Sequence, residues 1–325
     1  MTTTRAVRIH ETGGPEKLVV EEVEVGRPGE GEVVVCHTAV GLNFIDTYQR
    51  TGLYPVPLPA VLGMEAAGTV EEVGAGVEHL KAGDRVAYPM ALGAYCERRR
   101  IAADRVVKLA DGIDDRQAAA MMLKGMTVEY LLHRTYPVEK GQTILFHAAA
   151  GGVGLIACQW AKALGATVIG TVSTEEKAKL AGEHGCDHPI VSSKEDIAAR
   201  VRELTGGKGV PVVYDSIGKD TFEASMASLS PRGMFVSFGQ SSGPVASFNP
   251  ALLAQGGSLF YTRPSLGTYI AAREELELSA GRLFDAVASG KVRIEVNQTY
   301  PLAETAQAHR DLEARRTTGS TVLLP

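Results

Sequence analysis

A run of small residues at positions 147–154, HAAAGGVG, has the clearest chemical meaning in the sequence. It follows an apolar segment typical of a buried strand and precedes a segment with helical periodicity, which is the setting of a dinucleotide-binding turn. Glycine lets the backbone approach a pyrophosphate, and the amide groups at the helix N-terminus bind the phosphates. Ala149 takes the place of the usual first glycine. The residues predicted to hold the phosphates are Gly151, Gly152, Val153 and Gly154.

The end of the next predicted strand, at Val172 and Ser173, indicates which dinucleotide is bound. Sites specific for NAD place Asp or Glu here, roughly 20 residues after the glycines, to hold the ribose hydroxyls. Ser173 and Lys177 can instead donate hydrogen bonds to a 2′-phosphate, and Arg315 can add a third contact. The sequence therefore favours NADPH as the cofactor.

The elements that position these residues alternate regularly along the chain. Strands are predicted at 143–147, 167–172, 188–191, 210–215, 234–238 and 258–261, with helical segments between them. Strands that alternate with helices form βαβ units, so they predict an α/β fold with a parallel, doubly wound six-stranded sheet.

The segments on either side of this series have a different character. Residues 5–109 consist of short Val-rich strands separated by Gly and Pro, which predicts a small β-barrel or sandwich. Helices are expected at 116–122 and 127–135. After about residue 264 come a helix at 269–288, a strand at 292–300, a helix at 302–315 and a strand at 320–324. This last segment is too small to be a domain and is expected to complete the first one.

Composition narrows the classes of function. The 325 residues suggest two domains. The net charge of −5 argues against a nucleic-acid partner, which requires clustered Lys and Arg. No apolar run approaches the roughly 20 residues that span a bilayer, so no membrane association is expected. Four cysteines without C-x-x-C spacing indicate a protein of the reducing cytoplasm.

Five further motifs show a family resemblance. They are GLNFIDTY (41–48), LGMEAAG (62–68), LKGMT (123–127), VYDSIGKD (213–220) and GSLFYTRP (257–264). The chain resembles the quinone oxidoreductase (zeta-crystallin-like) branch of the medium-chain dehydrogenase/reductase superfamily. The resemblance implies a GroES-like catalytic domain at 1–122 and 265–325, wrapped around a Rossmann domain at 123–264, with the active site in the cleft. It also implies a homodimer in which the late Rossmann strands, around 243–262, pair across subunits.

Two polar residues of the first motif are the catalytic candidates. Asn43 and Tyr48 can both donate hydrogen bonds, and we assign them to the cleft near the nicotinamide and the substrate oxygen. Tyr48 can relay a proton to the product, or it can line the pocket while water supplies that proton. Asn43 can instead cap the following helix. Asp46 and Glu65 are interpreted as a structural acceptor and a buried bridging partner.

Other cofactor contacts follow from the resemblance or from strand-end positions. The family often carries a Tyr after the third Rossmann strand, packed against the adenosine end of the cofactor, and Ser192 stands in that place and cannot stack. His147, beside the glycine turn, is interpreted as a packing residue. The remaining predicted contacts are Thr127, Phe238, Gly239, Phe260 and Arg263.

The resemblance also predicts an enzyme without metal. In the zinc alcohol dehydrogenases of the superfamily, the first Cys and the His that bind catalytic zinc align with Asn43 and Met64, and 123–126 offers no thiol. Zinc sites need three or four thiolate, imidazole or carboxylate ligands. Without a Lewis acid, a conjugated acceptor that is already electrophilic is the favoured substrate.

Three functions remain open at this point. The first is NADPH-dependent reduction of a quinone. The second is reduction of another α,β-unsaturated carbonyl, such as an enal, enone or enoyl thioester. The third is a non-catalytic NADPH-binding protein. The same fold and cofactor serve all three, so only the site can separate them.

Overall fold

The computed structural model describes residues 2–325, and its strands and helices alternate as the sequence predicts in the middle of the chain. The strands are β1 (Thr3–Ile9), β2 (Val19–Glu24), β3 (Glu32–Gly41), β4 (Ala60–Val61), β5 (Glu65–Val73), β6 (Arg85–Pro89), β7 (Arg98–Ala102), β8 (Val107–Lys108), β9 (Thr143–Phe146), β10 (Thr167–Val172), β11 (His188–Val191), β12 (Val210–Asp215), β13 (Leu229–Ser237), β14 (Phe260–Thr262), β15 (Val296–Pro301) and β16 (Ser320–Leu324). The helices are α1 (Phe44–Thr51), α2 (Asp115–Tyr130), α3 (Gly152–Ala163), α4 (Glu175–Glu183), α5 (Ile197–Leu204), α6 (Phe222–Ser228), α7 (Ala251–Gln255), α8 (Leu266–Tyr269), α9 (Arg273–Ala288) and α10 (Thr305–Glu313).

The middle of the chain forms the parallel sheet. Its strand order is β11-β10-β9-β12-β13-β14, and every neighbouring pair is parallel. Counted along the chain, this is the doubly wound order 3-2-1-4-5-6, in which ligands bind at the carboxyl ends of the strands. The central strands are almost wholly buried because helices cover both faces, which explains their continuous apolar sequence. The predicted six-stranded doubly wound fold is confirmed.

The first part of the chain and its end form two further sheets. The larger sheet has the order β15-β16-β3-β5-β6-β8, with β7 also paired to β3, and the smaller has the order β2-β1-β4. β16 pairs antiparallel with β3, so the last strand of the chain joins the sheet formed by its first part. Alternating apolar residues such as Val33, Val35 and Val86 fill the core of this part.

The chain divides into two compact units. The first, here called the catalytic unit, runs to Met126 and also includes Ile270–Ala288 and Ile294–Pro325. The second, here called the dinucleotide unit, consists of Thr127–Tyr269 and Ser289–Arg293. These boundaries differ from the expected ones at 122/123 and 264/265. The short return segment was not expected, and a reciprocal pair of hydrogen bonds fixes it: Gln159 Nε2 donates to the Arg293 carbonyl at 3.0 Å, and Arg293 N–H donates to Gln159 Oε1 at 2.9 Å.

One helix departs from the sequence prediction. The sequence suggests separate helices at 116–122 and 127–135, whereas α2 continues through Asp115–Tyr130 and is followed by a wider helical turn at Leu131–Thr135. Gly125 does not break the helix. A Cβ at this position would lie 2.5 Å from Leu283 Cδ1 of α9, so the glycine permits close packing of two helices. Among residues 2–325, no helix is both long and apolar enough to cross a membrane.

Candidate active site

The glycine turn joins the end of β9 to the start of α3. Ala149 N–H donates to the Thr171 carbonyl at 2.9 Å, which ties the turn to the neighbouring strand β10. Gly151 N–H donates to the Ala148 carbonyl at 2.9 Å and closes the turn. A Cβ on Gly154 would lie 2.3 Å from that same carbonyl oxygen. Gly154 therefore permits the close packing of α3 on the turn.

The start of α3 is open to an anion. Gly151 occupies the N-cap with φ −82° and ψ 172°, and no described side chain caps this end. The amide groups of Gly152, Val153 and Gly154 belong to the first helical turn, where N–H groups have no partner within the helix. The first turn also carries no acidic residue. These features fit the pyrophosphate of a dinucleotide.

A buried cluster of polar side chains surrounds His147, the residue at the start of the glycine turn. His147 is fully buried, and its Nδ1 and Nε2 lie 2.9 Å from Thr171 Oγ1 and Ser225 Oγ. Ser225 Oγ donates to Asp215 Oδ2 at 2.8 Å. His, Ser and Asp are the residue types of a hydrolytic triad. Here, however, all three side chains are fully buried, and Asp215 accepts a hydrogen bond from the serine and not from the histidine. Burial lowers the pKa of His147. The prediction that His147 is a packing residue and not a base agrees with this geometry.

Three predicted cofactor residues meet at the ends of β10 and β11. Val172 and Val191 pair across the two strands, so Ser173 and Ser192 follow side by side. Ser192 donates to the Val172 carbonyl through its amide at 2.9 Å and its hydroxyl at 3.0 Å. Lys177 lies in the first turn of α4, whose N-cap follows Ser173 directly. The structure therefore brings Ser173, Lys177 and Ser192 to one edge of the sheet.

The first acidic residue after Ser173 has a cationic partner. Glu175 Oε1 lies 2.7 Å from Lys194 Nζ, and both side chains are well exposed. The sequence reasoning did not select Lys194. The sequence gives little reason to select Lys194, because a single lysine in a polar turn is common on any protein surface.

The end of β13 forms another part of the same edge. Phe238 and Gly239 direct their amides to the Asp215 carbonyl at 2.8 and 3.3 Å. Arg263 follows β14, and its Nη1 donates to the Ser237 carbonyl at 2.7 Å. Phe238, Gly239 and Arg263 are thus placed together at the carboxyl ends of β13 and β14, where the doubly wound fold binds ligands.

Three other predicted cofactor residues are not brought into this group. Phe260 pairs with Met234 at the first position of β14, three residues before Arg263, and its side chain is 57% exposed. Phe260 therefore lies on the outermost strand of the sheet and not at the carboxyl ends of the strands. The resemblance indicated only the segment 257–264, whereas the strand register determines where each residue of that segment lies. Thr127 is buried in α2, at the first position of the dinucleotide unit. Arg315 belongs to the catalytic unit, just after α10.

The catalytic candidate Asn43 lies at the start of α1, and Tyr48 lies in the middle of the same helix. Asn43 occupies the N-cap and is buried, and its Nδ2 donates to Glu65 Oε2 at 2.8 Å. Its main-chain N–H donates to Asp46 Oδ2 at 2.8 Å. The ring of Tyr48 contacts Phe44 at 6.3 Å between centroids. Asn43 is therefore a helix N-cap residue, but its amide nitrogen is committed to Glu65.

Tyr54 is a neighbour that sequence reasoning missed. Its ring packs edge-to-face on Tyr48 at 5.3 Å between centroids, and its main-chain N–H donates to the Tyr48 carbonyl at 3.0 Å. The sequence GLYP at 52–55, directly after α1, could have indicated this contact, because a Gly- and Pro-containing turn brings the chain back against the preceding helix. A second aromatic side chain therefore fixes the orientation of Tyr48.

Glu65 joins the start of α1 to α2. It is fully buried at the start of β5, and Oε2 accepts hydrogen bonds from Asn43 Nδ2 and from Lys124 Nζ, the latter at 3.1 Å. Oε1 accepts the Leu123 N–H at 2.7 Å. The prediction that Glu65 is a buried bridging partner is confirmed. Sequence reasoning missed Lys124, which lies 59 positions away along the chain.

Asp46 begins a second buried chain of hydrogen bonds in the catalytic unit. Its Oδ2 accepts from Tyr95 Oη at 2.7 Å, and Tyr95 Oη lies 3.0 Å from His309 Nε2. Arg50 Nη1 lies 3.0 Å from His309 Nδ1. A guanidinium can only donate, so Nδ1 is the acceptor, Nε2 carries the proton, and every donor in the chain points towards Asp46. The predicted role of Asp46 as a structural acceptor is confirmed.

The same burial shifts two pKa values in this chain. Desolvation raises the pKa of Asp46 to about 7, against the favourable hydrogen bonds from Tyr95 and the Asn43 amide. Desolvation and the charge of Arg50 lower the pKa of His309 to about 3. Asp46 Oδ1 is buried and has no partner among the described residues, so it can carry the proton of the neutral acid.

The positions aligned with zinc ligands hold other chemistry. Met64 Sδ lies 3.3 Å from Gln49 Nε2, and Asn43 is bound to Glu65. Within residues 2–325, no group of three or more His, Cys, Asp or Glu side chains is arranged to hold a metal ion.

Together, the doubly wound sheet, the uncapped glycine turn and the strand-end cluster define a dinucleotide-dependent oxidoreductase. Residues 29–142 match the alcohol dehydrogenase GroES-like domain, and residues 152–277 match the zinc-binding dehydrogenase domain. The chain is 58% identical to a quinone oxidoreductase of Pseudomonas aeruginosa, over 96% of this chain and 97% of that protein.

Two other relatives bear on the chemistry. The solved structure of Escherichia coli quinone oxidoreductase complexed with NADPH superposes with a TM-score of 0.97 at 52% identity, covering 100% of both chains. A 2-haloacrylate reductase of Burkholderia sp. is 50% identical over 98% of each chain. The chain therefore belongs to the quinone oxidoreductase family of the medium-chain dehydrogenase/reductase superfamily. The resemblance seen in the sequence motifs and the expected GroES-like and Rossmann domains are confirmed.

Proposed function

We propose that the protein reduces a quinone by transfer of a hydride from NADPH. The observation that carries this proposal is the uncapped start of α3, where the amides of Gly152, Val153 and Gly154 have no acceptor in the helix and no acid lies in the first turn. NADPH supplies the hydride when bound. The protein's part is to hold the dinucleotide phosphates with these amides and to orient both reactants.

The preference for the phosphorylated dinucleotide rests on the edge formed by Ser173, Lys177 and Ser192. A 2′-phosphate carries negative charge, so hydroxyl and ammonium donors suit it and a carboxylate at position 173 would repel it. Glu175 is close in sequence, but Lys194 at 2.7 Å balances its charge. The E. coli relative whose structure contains NADPH supports the same choice. Phe238, Gly239 and Arg263 would line the same strand ends, and we keep Thr127 and Arg315 as proposed contacts.

For the substrate we propose a metal-free site beside Asn43 and Tyr48. Asn43 Nδ2 donates to Glu65 Oε2 at 2.8 Å and to the Gly41 carbonyl at 3.4 Å, so both of its N–H donors have partners within the protein. The side-chain group that Asn43 can offer is then its Oδ1, an acceptor. This revises the donor role predicted from the sequence. The hydroxyl of Tyr48 is then the proposed donor of this pair to the substrate oxygen, with its ring held by Phe44 and Tyr54.

We also propose a homodimer formed through β14. This strand is the last of its sheet, and Phe260 is 57% exposed on it. An edge strand with an exposed aromatic residue is suited to pairing with a second copy. In this proposal Phe260 contributes to the dimer and not to the cofactor site. The proposed location is the reducing cytoplasm, in keeping with the free thiols of Cys36, Cys96, Cys158 and Cys186.

Reduction of another α,β-unsaturated acid or carbonyl is the second candidate function. It is favoured by the 50% identity to a 2-haloacrylate reductase, whose name describes a conjugated acceptor. The same hydride chemistry serves both acceptors, so the two candidates differ only in the shape and charge of the pocket.

The test follows oxidation of NADPH and of NADH with benzoquinone, a naphthoquinone, a simple enone and 2-chloroacrylate, with and without a chelator. Chelator-insensitive turnover of quinones with NADPH is the expected result. Turnover of the enone or chloroacrylate alone would replace quinone as the acceptor. Tight NADPH binding without turnover of any acceptor would favour the non-catalytic alternative.

The cofactor preference is tested by Ser173→Asp. The added carboxylate should lower kcat/KM for NADPH at least tenfold relative to that for NADH, which corresponds to about 1.4 kcal/mol of repulsion. Ser289→Asp is the matched control, because Ser289 is an exposed serine of the same unit that follows α9 and does not belong to this edge. An unchanged NADPH/NADH ratio in Ser173→Asp would exclude this edge as the phosphate site.

A further inference from the structure

The amino group of Lys124 is buried directly beside the catalytic candidate Asn43. The Lys124 side chain is 7% exposed and that of Glu65 is 0% exposed. Lys124 Nζ lies 3.1 Å from Glu65 Oε2, and Asn43 Nδ2 lies 2.8 Å from the same oxygen. One carboxylate oxygen therefore holds both nitrogen groups, one charged and one neutral.

Lys124 has more donors than the described protein uses. An ammonium carries three N–H donors. Among residues 2–325, Glu65 is the one hydrogen-bond acceptor of the Lys124 side chain, so two donors remain for a ligand. A buried charge is costly unless it is paired and hydrogen-bonded. An incompletely satisfied buried ammonium at a proposed reaction site points to a partner that arrives with the substrate.

We propose that Lys124 is a catalytic residue whose ammonium donates a hydrogen bond to the substrate oxygen that becomes negatively charged. This inference rests on the proposed quinone reduction. Addition of a hydride brings two electrons to the quinone, breaks a carbonyl π bond and leaves an oxyanion. One proton from water then completes the hydroquinone, so Lys124 acts as a donor and is not consumed.

The physical reason is that the charge is fixed before the reaction. Glu65 holds Lys124 from one side and the Leu123 amide from the other, so little reorganisation is needed when negative charge develops. A charge-assisted N–H···O⁻ bond in a site with little water is stronger than a neutral one. The lysine thus supplies positive charge where relatives with zinc use a metal ion.

The competing explanation is that Lys124 only neutralises Glu65. The double variant Lys124→Met/Glu65→Gln separates the two, because it removes both charges and leaves neither one buried alone. Because Glu65 also holds Asn43, the reference protein is Glu65→Gln, which keeps the ammonium of Lys124. A purely neutralising lysine predicts the same kcat in the double variant as in Glu65→Gln. Our proposal predicts a kcat about 10²-fold lower in the double variant than in Glu65→Gln, with NADPH affinity unchanged. Lys81→Met, an exposed lysine of the same unit, is the control and should keep full activity.

A second readout does not depend on turnover. para-Nitrophenol changes colour when it ionises, so its absorbance reports the pKa of the bound phenol. With NADP⁺ present, the wild-type protein should bind the phenolate preferentially and lower this pKa by about one unit, and the double variant should abolish the effect. If Lys124→Met/Glu65→Gln does not fold, as judged by circular dichroism, Lys124→Gln/Glu65→Gln keeps more polarity and should show the same losses.

The outcomes are distinct. A folded double variant whose kcat equals that of Glu65→Gln overturns the role of Lys124, whatever the phenol shows. A wild type that does not reduce quinones but binds the phenolate through Lys124 supports the anion-binding role and refutes the quinone substrate. Loss of both kcat and phenolate binding, with NADPH affinity retained, supports both proposals.

Discussion

Asp46 provides the sharpest test of the buried network, because replacing it with Asn should change how stability depends on pH. The folded protein raises the pKa of Asp46 from its ordinary value of 3.8 to about 7. Below pH 3.8 the acid is neutral in both the folded and the unfolded protein. Between pH 3.8 and 7 the unfolded chain is ionised while the folded protein keeps the proton. Stability should therefore fall as pH rises through this window and level off above it.

The magnitude follows from the two pKa values. Each unit corresponds to about 1.4 kcal/mol, so the gap between 3.8 and about 7 corresponds to about 4 kcal/mol. Asn at this position can keep an oxygen for Tyr95 and the Asn43 amide, and it places its NH₂ where Oδ1 has no partner. Asp46→Asn imitates the neutral acid and should lack the pH-dependent loss.

The assay is denaturant unfolding of the wild type and Asp46→Asn at intervals from pH 4 to 8.5. The difference between the two proteins is the informative quantity, because the buried His37 and His309 titrate with the opposite sign. Burial lowers their pKa values to about 4 and about 3, so they make stability rise with pH up to the ordinary histidine value. Both proteins carry these histidines, and their contribution cancels in the difference.

The expected result is that Asp46→Asn gains up to about 4 kcal/mol relative to the wild type between pH 4 and pH 7. Asp104→Asn is the control, since the Asp104 side chain is 66% exposed and does not belong to the buried network. Parallel pH profiles for the wild type and Asp46→Asn would refute the reasoning, because they would mean that Asp46 is ionised in the folded protein throughout this range.

Two further substitutions test the packing around the site. Gly154→Ala should weaken NADPH binding and destabilise the fold by about 1–3 kcal/mol, because the new Cβ would meet the Ala148 carbonyl at 2.3 Å. In the control Gly182→Ala, the new Cβ in α4 meets nothing within 4 Å, so this variant should be neutral or stabilising. Equal NADPH affinities in the two variants would contradict the role of the turn. Arg50→Met should lower the free energy of unfolding by about 3 kcal/mol in denaturant titrations, because it leaves Glu313 and buried acceptors without their donor. In the control Arg100→Met, which removes an exposed ion pair with Glu32 at 3.7 Å, stability should change by less than about 0.5 kcal/mol. A similarly small effect of Arg50→Met would show that the buried pair contributes little.

Local patterns in the sequence determined the framework of the dinucleotide unit. Apolar segments that alternate with helical ones are encoded within a few neighbouring residues, so the predicted strands at 167–172, 188–191 and 210–215 match the observed ones. Glycine at position 154 and the absence of a carboxylate at position 173 are equally local. For these features chemical type and spacing suffice, because the fold places every strand end at the same edge.

Only the tertiary structure decided which polar groups meet. Glu65 and Lys124 are 59 positions apart, and Tyr95 and His309 are 214 apart, so no local pattern reveals their contacts. The register of β14 likewise placed Phe260 on the sheet edge, although its motif suggested the cofactor. The amide of Asn43, a plausible donor in the sequence, is already occupied by Glu65. Residue type states what a side chain can do, whereas burial and long-range partners decide what it has left to offer a substrate.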